Sequence, residues 1–140
     1  MTDEELERYA RHIVLPQVGG AGQHRLNAAK VAVVGAGGIG AAVIPALTGA
    51  GVGQLTIIDG DTVDLSNLQR KPLYTGAEIG EAKAQRASAF VAARNPFVTV
   101  RTVAERIDAT NAESLPAGHE LIIDGTDNFA TRLTISDSAV

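Results

Sequence analysis

The chain has 140 residues, 45% of them hydrophobic, and a formal net charge of −4, which suits a single globular domain that buries about two-thirds of its surface. No apolar run approaches the roughly 20 residues of a membrane span, and the absence of cysteine excludes disulfides, thiolate zinc sites and thioester chemistry within this stretch. The mild acidity argues against nucleic acid as a partner, and an acidic N-terminus where a signal peptide would be basic favours a cytoplasmic location.

Residues 1–30 are predicted to form a helical arm. Thr2 and Glu5 have the spacing of a capping box. A wheel of about 100° per residue places Arg11 about 140° from Leu6, so its side chain is predicted to point away from the apolar stripe. The glycine-rich stretch 18–30 is predicted to be a connection that includes a helical turn. The apolar stripe is formed by residues at helical spacing before Pro16: Leu6, Tyr9, Ala10 and Ile13.

A strand and a glycine-rich turn follow the arm. The apolar, β-branched run Val31–Val34 predicts a parallel strand buried on both faces. Glycines at this turn let backbone N–H groups and a helix N-terminus approach a phosphate. Asp59 follows 19 positions after the last of them, at the distance of a ribose-hydroxyl acceptor. The pattern predicts a nucleotide or dinucleotide site whose G-x-G-x-x-G glycines are Gly35, Gly37 and Gly40.

The next helix is predicted from about Gly38 to Ala50, and a second strand over Leu55–Ile58. Pro45 conflicts with a regular helix, because proline in a helix interior removes a hydrogen bond and clashes with the preceding turn. We therefore expect a bend at Pro45 or a helix that begins later than residue 38.

A long polar connection then runs for about 20 residues, from Asp59 to Ile79, whereas connections in such sheets usually take about 2 to 6. Arg70 can bind two phosphate oxygens, Asn67 can bind a phosphate or ribose oxygen, and Lys83 adds a point charge from the following helix. A triphosphate carries more charge than the pyrophosphate of a dinucleotide, and more charge develops as pyrophosphate departs. The connection therefore favours ATP, and an NAD-dependent oxidoreductase stays as the alternative.

The rest of the chain alternates helices and strands, so the predicted fold is α/β: a Rossmann-like, doubly wound, mainly parallel sheet with helices on both faces. The nucleotide-binding domain is assigned to residues 31–140, and we expect it to continue beyond Val140. The remaining elements are a helix over 79–95 with Ala84, Ala87 and Val91 on one face, a strand over 97–103, a short helix over 110–115, a buried strand over 121–124 and a helix from residue 128.

Four blocks of the sequence resemble the ThiF/MoeB/HesA adenylating enzymes, bacterial relatives of ubiquitin-activating enzymes. The blocks are collinear and span nearly the whole chain. The D-x-D-x-V-x-x-S-N-L-x-R and T-D-N-x-x-x-R strings are far more specific than the glycines. The blocks are ERYARHIVLPQVGGAGQHRL, VVGAGGIGAAVIPALTGAGVGQLTIIDGDTVDLSNLQR, IGEAKA and IIDGTDNFATR.

The resemblance implies an adenylyltransferase that uses ATP and Mg²⁺ to adenylate the C-terminal glycine carboxylate of a ubiquitin-like sulfur carrier, as in thiamine or molybdopterin biosynthesis, with release of pyrophosphate. Two alternatives stay open: a tRNA-modifying dehydratase of the same family, which would bind nucleic acid, and a non-catalytic nucleotide-binding or dimerisation fragment. Zinc occurs in the family, but its ligands are not in this sequence. If the chain ends at Val140 in nature, we expect it to be poorly active or inactive.

The resemblance also implies roles for individual residues. Gly38 would contact the nucleotide and Asp59 the ribose, while Asp127 would hold magnesium with Asn128 beside it. Asp61 is either a turn residue or a direct contact. The phosphates and the rest of the nucleotide would be bound by Ser66, Asn67, Gln69, Arg70 and Lys83, among which Lys83 has the alternative of an ordinary surface lysine.

Arg11 is the residue expected to act between subunits. By resemblance, the arginine of this helix reaches the phosphates in the partner subunit's site, which implies a homodimer with composite sites. The alternative is an exposed arginine that pairs with Glu4 or Glu7. The candidate catalytic residues are therefore Arg11, Arg70, Lys83 and Asp127.

Overall fold

Four parallel strands form the centre of the protein in a computed structural model that describes residues 1–36, 38–60, 82–105, 118–119 and 121–124. The sheet order is β3-β2-β1-β4, which confirms the predicted parallel α/β fold. The strands are β1 (Lys30–Val34), β2 (Gln54–Ile58), β3 (Thr99–Val103) and β4 (Leu121–Asp124), and the helices are α1 (Asp3–Arg8), α2 (Ala10–Ile13), α3 (Gly19–Ala28), α4 (Gly38–Ala50) and α5 (Lys83–Arg94).

The strand register aligns the carboxyl ends at one edge of the sheet. Val34 is level with Ile58 on one side and with Asp124 on the other, and Ile58 is level with Val103. The connections that follow the four strands therefore begin at the same end of the sheet. We call this the carboxyl edge, and the opposite edge, where the strands begin, the amino edge.

The two central strands are buried at every position after the first, as the sequence predicts. Alternate residues of β1 and β2 pack on the main core with α4 and α5, where Ile44 and Ala87 are fully buried. The prediction of a buried fourth strand is wrong. Leu121 is 52% exposed and the rest of β4 is half-buried. The reason is that β4 is an outer strand of the described sheet, with only β1 beside it.

Helix α4 begins at Gly38 and ends at Ala50 with Pro45 inside it, so the expected later start is wrong. Its C-terminal half buries the hydroxyl of Thr48, which donates a hydrogen bond to the Ile44 carbonyl at 2.7 Å. Packing against β1 and α5 outweighs the local cost of the proline, which is about 3 kcal/mol in an exposed helix. No helix in the described ranges is long and apolar enough to cross a membrane.

The arm differs from its prediction because tertiary contacts override the local pattern. The Thr2 hydroxyl caps α1 by accepting from the Glu5 N–H at 3.2 Å, as predicted. The single predicted helix is nevertheless interrupted at Tyr9, whose backbone leaves helical geometry (φ −102°, ψ 11°). The ring of Tyr9 is buried, whereas Leu6 is 44% exposed and belongs to no buried stripe.

The glycine-rich stretch after Pro16 forms a ten-residue helix, α3, where the sequence predicts a connection. Its buried Gln23 explains the difference. The Gln23 Nε2 donates to the Ala50 carbonyl at 2.9 Å, and the Gly53 N–H donates to the Leu26 carbonyl at 3.0 Å. These bonds to the α4–β2 connection stabilise a helix that three glycines disfavour.

Asn95 joins the arm to the ends of α4 and α5. Its buried Nδ2 donates to the Tyr9 hydroxyl at 2.8 Å and to the Thr48 carbonyl at 2.9 Å, while its Oδ1 accepts from the Phe97 N–H at 3.1 Å. One amide thus satisfies three polar groups, two of which, the Tyr9 hydroxyl and the Thr48 carbonyl, belong to distant parts of the chain. Since Asn95 precedes β3, the arm packs at the amino edge.

The turn after α4 provides a stability test. Gly51 has φ +80°, and a Cβ there would lie 2.6 Å from the Tyr9 ring. Gly51→Ala is expected to lower the free energy of unfolding by about 2 kcal/mol or more, because backbone strain and the clash add. Urea denaturation measures this. The matched control is Gly49→Ala within α4, where a Cβ meets nothing within 4 Å and stability should rise by up to about 1 kcal/mol. Equal effects of the two substitutions would contradict the turn's role.

Candidate nucleotide site at the carboxyl edge

The glycine turn begins directly after β1. Gly35 has φ +89°, and its N–H continues the β1–β2 ladder by donating to the Ile58 carbonyl at 2.8 Å. The positive φ turns the chain away from the sheet, so that the backbone of residue 36 faces β2 and α4 begins at Gly38. The N-terminus of α4, whose first backbone N–H groups have no acceptor within the helix, therefore points toward the carboxyl edge.

Asp59 follows β2 at the same edge. Its Oδ2 accepts a hydrogen bond from the Ala36 N–H at 2.6 Å, and its own N–H donates to the Val103 carbonyl at 3.0 Å. Asp59 is only 9% exposed, and a short bond to a carboxylate is stronger than one between neutral groups. Asp59 thus holds the glycine turn in place, a role that sequence reasoning did not assign to it. Because a carboxylate accepts at both oxygens, this role is compatible with the predicted one toward a ribose hydroxyl.

The third glycine of the pattern is required by close approach. A Cβ at Gly40 would lie 1.7 Å from the Gly35 carbonyl oxygen and 2.8 Å from its carbon. The first turn of α4 therefore packs directly on the backbone of the turn that precedes it. This contact sets how near the helix N-terminus lies to the end of β1.

Lys83 is the first residue of α5 and is only 6% exposed. Because α5 connects β2 to β3, its N-terminus lies on the side of the carboxyl edge. A cation is disfavoured at a helix N-terminus, where the helix dipole is positive, and burial of an ammonium group is costly. The first turn of α5 carries no acidic residue. Lys83 and the two helix N-termini supply positive charge at this edge, beside the carboxylates of Asp59 and Asp124, and such groups suit a phosphate ligand.

The order of the strands places a crevice at this edge. The chain proceeds from β1 through β2 to β3 and then returns to the other side of β1 as β4. Ligands of open α/β sheets bind at such a reversal, beyond the carboxyl ends of the strands. Asp124 ends β4 level with Val34 and so lies at the reversal. Sequence reasoning treated Asp124 only as the last residue of a strand. The signal that could have identified it as a site residue is an acidic residue directly after an apolar run.

The structure thus brings together Gly35, the backbone of Gly38, Gly40, Asp59 and Lys83. Arg11 is exposed on α2, beyond Tyr9, and no hydrogen bond among the described residues links it to the carboxyl edge. The described ranges contain no cluster of three or more His, Asp or Glu that could hold a metal ion. The other predicted site residues lie outside the described residues: Gly37, Asp61, Ser66, Asn67, Gln69, Arg70, Asp127 and Asn128.

The strand order, the glycine turn and the acidic residue after β2 define a Rossmann-like α/β domain of the nucleotide-binding type. Comparison with known proteins identifies the family within that class. The chain belongs to the ThiF family, whose model matches residues 9–140. This confirms the resemblance carried by the four sequence blocks.

Two curated relatives are similar over almost the entire chain. The sulfur carrier protein adenylyltransferase of Thermus thermophilus is 45% identical over 139 residues, which cover 99% of this chain and 51% of the relative. The molybdopterin-synthase adenylyltransferase of Salmonella typhimurium is 46% identical over 132 residues, which cover 94% of this chain and 53% of the relative. The chain therefore spans about half the length of each.

A solved structure with the same fold is the E. coli tRNA N6-threonylcarbamoyladenosine dehydratase in complex with ATP. It has a TM-score of 0.89 and 25% sequence identity, over 96% of this chain and 55% of that one. The E. coli protein MccB with ATP is similar at a TM-score of 0.73 and 30% identity, over 76% of this chain and 32% of that one. Both relatives are thus described with ATP.

Substitutions of Asp59 test whether its carboxylate holds the turn. Asp59→Leu removes the acceptor of the buried Ala36 N–H and is expected to lower the free energy of unfolding by about 2 to 3 kcal/mol. Asp59→Asn keeps one acceptor oxygen, and its cost should be about 1 kcal/mol or less. Urea denaturation of the two variants measures the difference. A leucine variant as stable as the asparagine variant would show that the hydrogen bond does not stabilise the turn.

Proposed function

We propose that the protein adenylates the C-terminal glycine carboxylate of a ubiquitin-like sulfur carrier at the expense of ATP, and that it releases pyrophosphate. The observation that carries this proposal is Lys83, a buried cation at the start of α5 on the same edge as the glycine turn. Its point charge lies on the same side of the sheet as the glycine turn and the helix N-termini, and these groups together suit a strongly anionic ligand. The family and the names of the two curated relatives support adenylation.

The chemistry needs positioning and charge neutralisation more than proton transfer. A carboxylate oxygen of the carrier attacks the α-phosphorus of ATP, the bond from that phosphorus to the bridging oxygen breaks, and pyrophosphate leaves with the electron pair. No general base is required, because the attacking oxygen is already anionic. The product is a mixed anhydride with AMP, which gives the carboxyl group a good leaving group.

In this reaction the glycine turn and the N-terminus of α4 bind phosphate oxygens through backbone N–H groups. Asp59 orients the ribose and at the same time holds the turn at Ala36. Lys83 neutralises negative charge that grows as pyrophosphate departs. From the polar connection, Asp61, Ser66, Asn67, Gln69 and Arg70 complete the binding of the nucleotide.

Asp127 is the residue that we propose to hold Mg²⁺, with Asn128 beside it. Held there, Mg²⁺ would supply positive charge that neutralises the phosphates. A carboxylate shortly after β4 suits this ion chemically, since Mg²⁺ prefers oxygen ligands and binds through one or two carboxylates together with substrate phosphates.

A protein carrier is favoured over tRNA as the substrate. The curated relatives named for sulfur-carrier or molybdopterin-synthase adenylation are 45% and 46% identical to this chain. The tRNA dehydratase is 25% identical. The net charge of −4 agrees with a protein substrate, because proteins that bind nucleic acid are typically basic.

Exchange of labelled pyrophosphate into ATP tests the substrate. With the full-length protein we expect a small ubiquitin-like protein that ends in Gly-Gly to stimulate exchange, and tRNA to leave it unchanged. Stimulation by tRNA alone would establish the dehydratase alternative. If neither substrate stimulates exchange, the non-catalytic alternative is correct, and tight NAD binding without ATP binding would indicate an oxidoreductase.

The same assay has a matched pair of lysine variants. Lys83→Ala is expected to lower carrier-dependent exchange by about 100-fold or more, the usual cost of removing one group that stabilises a transition state. Lys30→Ala should have no effect, since Lys30 is exposed at the start of β1 on the amino edge. Circular dichroism confirms that both variants fold. Wild-type exchange by Lys83→Ala would exclude the proposed role.

We further propose that the protein is a homodimer in which Arg11 completes the site of the partner subunit. Its exposure on α2 and its place beyond Tyr9 at the amino edge support action on a second chain rather than on its own. Without such a partner, an exposed arginine contributes little.

Mixing of two inactive variants tests this arrangement. Arg11→Ala and Lys83→Ala are each expected to lose exchange, whereas a refolded mixture should recover about a quarter of wild-type activity, because half of the dimers are mixed and each holds one intact site. The control is the mixture of Lys83→Ala with the double variant Arg11→Ala/Lys83→Ala, which forms no intact site. No recovery in the first mixture would show that Arg11 does not act between subunits.

A further inference from the structure

A groove of about 220 Å³ lies between α1, α4 and α5, away from the nucleotide site. We call it the arginine groove. Its apolar floor is made by the half-buried side chains of Pro45 and Phe90, and two exposed arginines, Arg8 and Arg94, line its sides. Gly49 leaves one wall open, since no side chain projects from it.

Both guanidinium groups are held in place at this groove. The Arg8 Nη1 donates to the Arg94 carbonyl at 2.9 Å, and its Cζ lies 5.7 Å from the centroid of the Phe97 ring. The Arg94 Cζ lies 5.1 Å from the centroid of the Phe90 ring. Contacts of this kind lower the conformational entropy that a long side chain loses when it binds a ligand.

The contacts within the chain leave most of the binding capacity of these arginines unused. Across the described ranges, neither guanidinium forms an ion pair, although the chain has 16 acidic and 12 basic residues. One hydrogen bond has an ordinary structural role, since Arg8 donates to the carbonyl of the last residue of α5 and so stabilises the C-terminus of that helix. An arginine has five N–H donors in a planar fork that matches a carboxylate. Two such forks on one groove therefore complement a segment with more than one carboxylate.

The groove lies at the amino edge, so its ligand is distinct from the nucleotide. Thr48 and Gly49 belong to the end of α4, and Asn95 joins α5 to β3. Both helices begin at the carboxyl edge and end here. A segment in the groove therefore leaves the carboxyl edge uncovered, and both ligands can be bound at once.

We propose that the arginine groove is a docking surface for an acidic segment of a partner protein. Two carboxylates of that segment bind Arg8 and Arg94, and an apolar side chain between them packs on Pro45 and Phe90. Charge complementarity carries the choice of partner, because two cations that pair with no carboxylate in the described part of the chain flank an apolar floor. The surface requires no nucleotide, and so it does not depend on the proposed adenylation.

Fluorescence anisotropy with a labelled hexaglutamate peptide tests the surface, with hexaglutamine as the uncharged probe. The protein is expected to bind hexaglutamate and not hexaglutamine, with an affinity that falls as salt is raised. The double variant Arg8→Gln/Arg94→Gln should weaken binding by about tenfold or more. The matched control is Arg25→Gln/Arg101→Gln, which removes the same charge from exposed arginines on α3 and β3 and should bind as the wild type does.

Arg94→Gln alone is the variant to use if loss of the Arg8 hydrogen bond impairs folding, and it should still weaken binding. Equal weakening in the groove and control variants would overturn the proposal in favour of net charge. Equal competition by inorganic phosphate would indicate a small-anion site instead. Dissociation of an oligomer by the groove variant in sedimentation equilibrium would show that a second copy of the chain covers the groove.

Discussion

The hydrogen bond from the Ala36 N–H to the Asp59 carboxylate connects the two strands on which the carboxyl edge is built. The parallel register places Val34 level with Ile58, so the residues after each strand meet at one height. The 2.6 Å bond then fixes the turn after β1 against the end of β2. Because Gly40 packs on the backbone of that turn, the direction of α4 is set as well. Because the contact is buried, loss of the carboxylate leaves a buried N–H group without this acceptor, which is costly.

Lys83 departs from the ordinary preference of a helix for charged residues at its ends. A lysine stabilises the last turn of a helix and disfavours the first, yet Lys83 is the first residue of α5 and is buried. Arg94, at the last turn of the same helix, follows the ordinary preference. Residues that break a local rule in a well-packed region are expected at functional sites. The two ends of α5 thus differ: the cation at its start opposes the helix dipole, and the cation at its end complements it.

The arm is held to the domain by buried polar groups more than by an apolar stripe. Asn95 donates hydrogen bonds to the Tyr9 hydroxyl and to the Thr48 carbonyl in the last turn of α4. Gln23 donates to the Ala50 carbonyl, and its side-chain oxygen lies 3.2 Å from the His12 Nδ1. Since the Gln23 amide nitrogen is the donor to Ala50, its oxygen accepts, and the His12 Nδ1 therefore carries a proton. Hydrogen bonds are directional, so a network of this kind specifies one position of the arm.

The sequence by itself determined the parallel α/β fold, the glycine turn, the span of α4 and the buried face of α5. These follow from short-range patterns: an apolar run, glycine spacing, and the alanines and valine that recur at helical period. It also identified the family, because the specific strings are contiguous in the chain. Tertiary structure alone decided the break at Tyr9, the helix at α3, the exposure of Leu121 and the role of Asp59 at the turn. The break, the helix and the role of Asp59 depend on contacts between residues far apart in the chain, and the exposure of Leu121 depends on the place of its strand in the sheet order. No local pattern contains either.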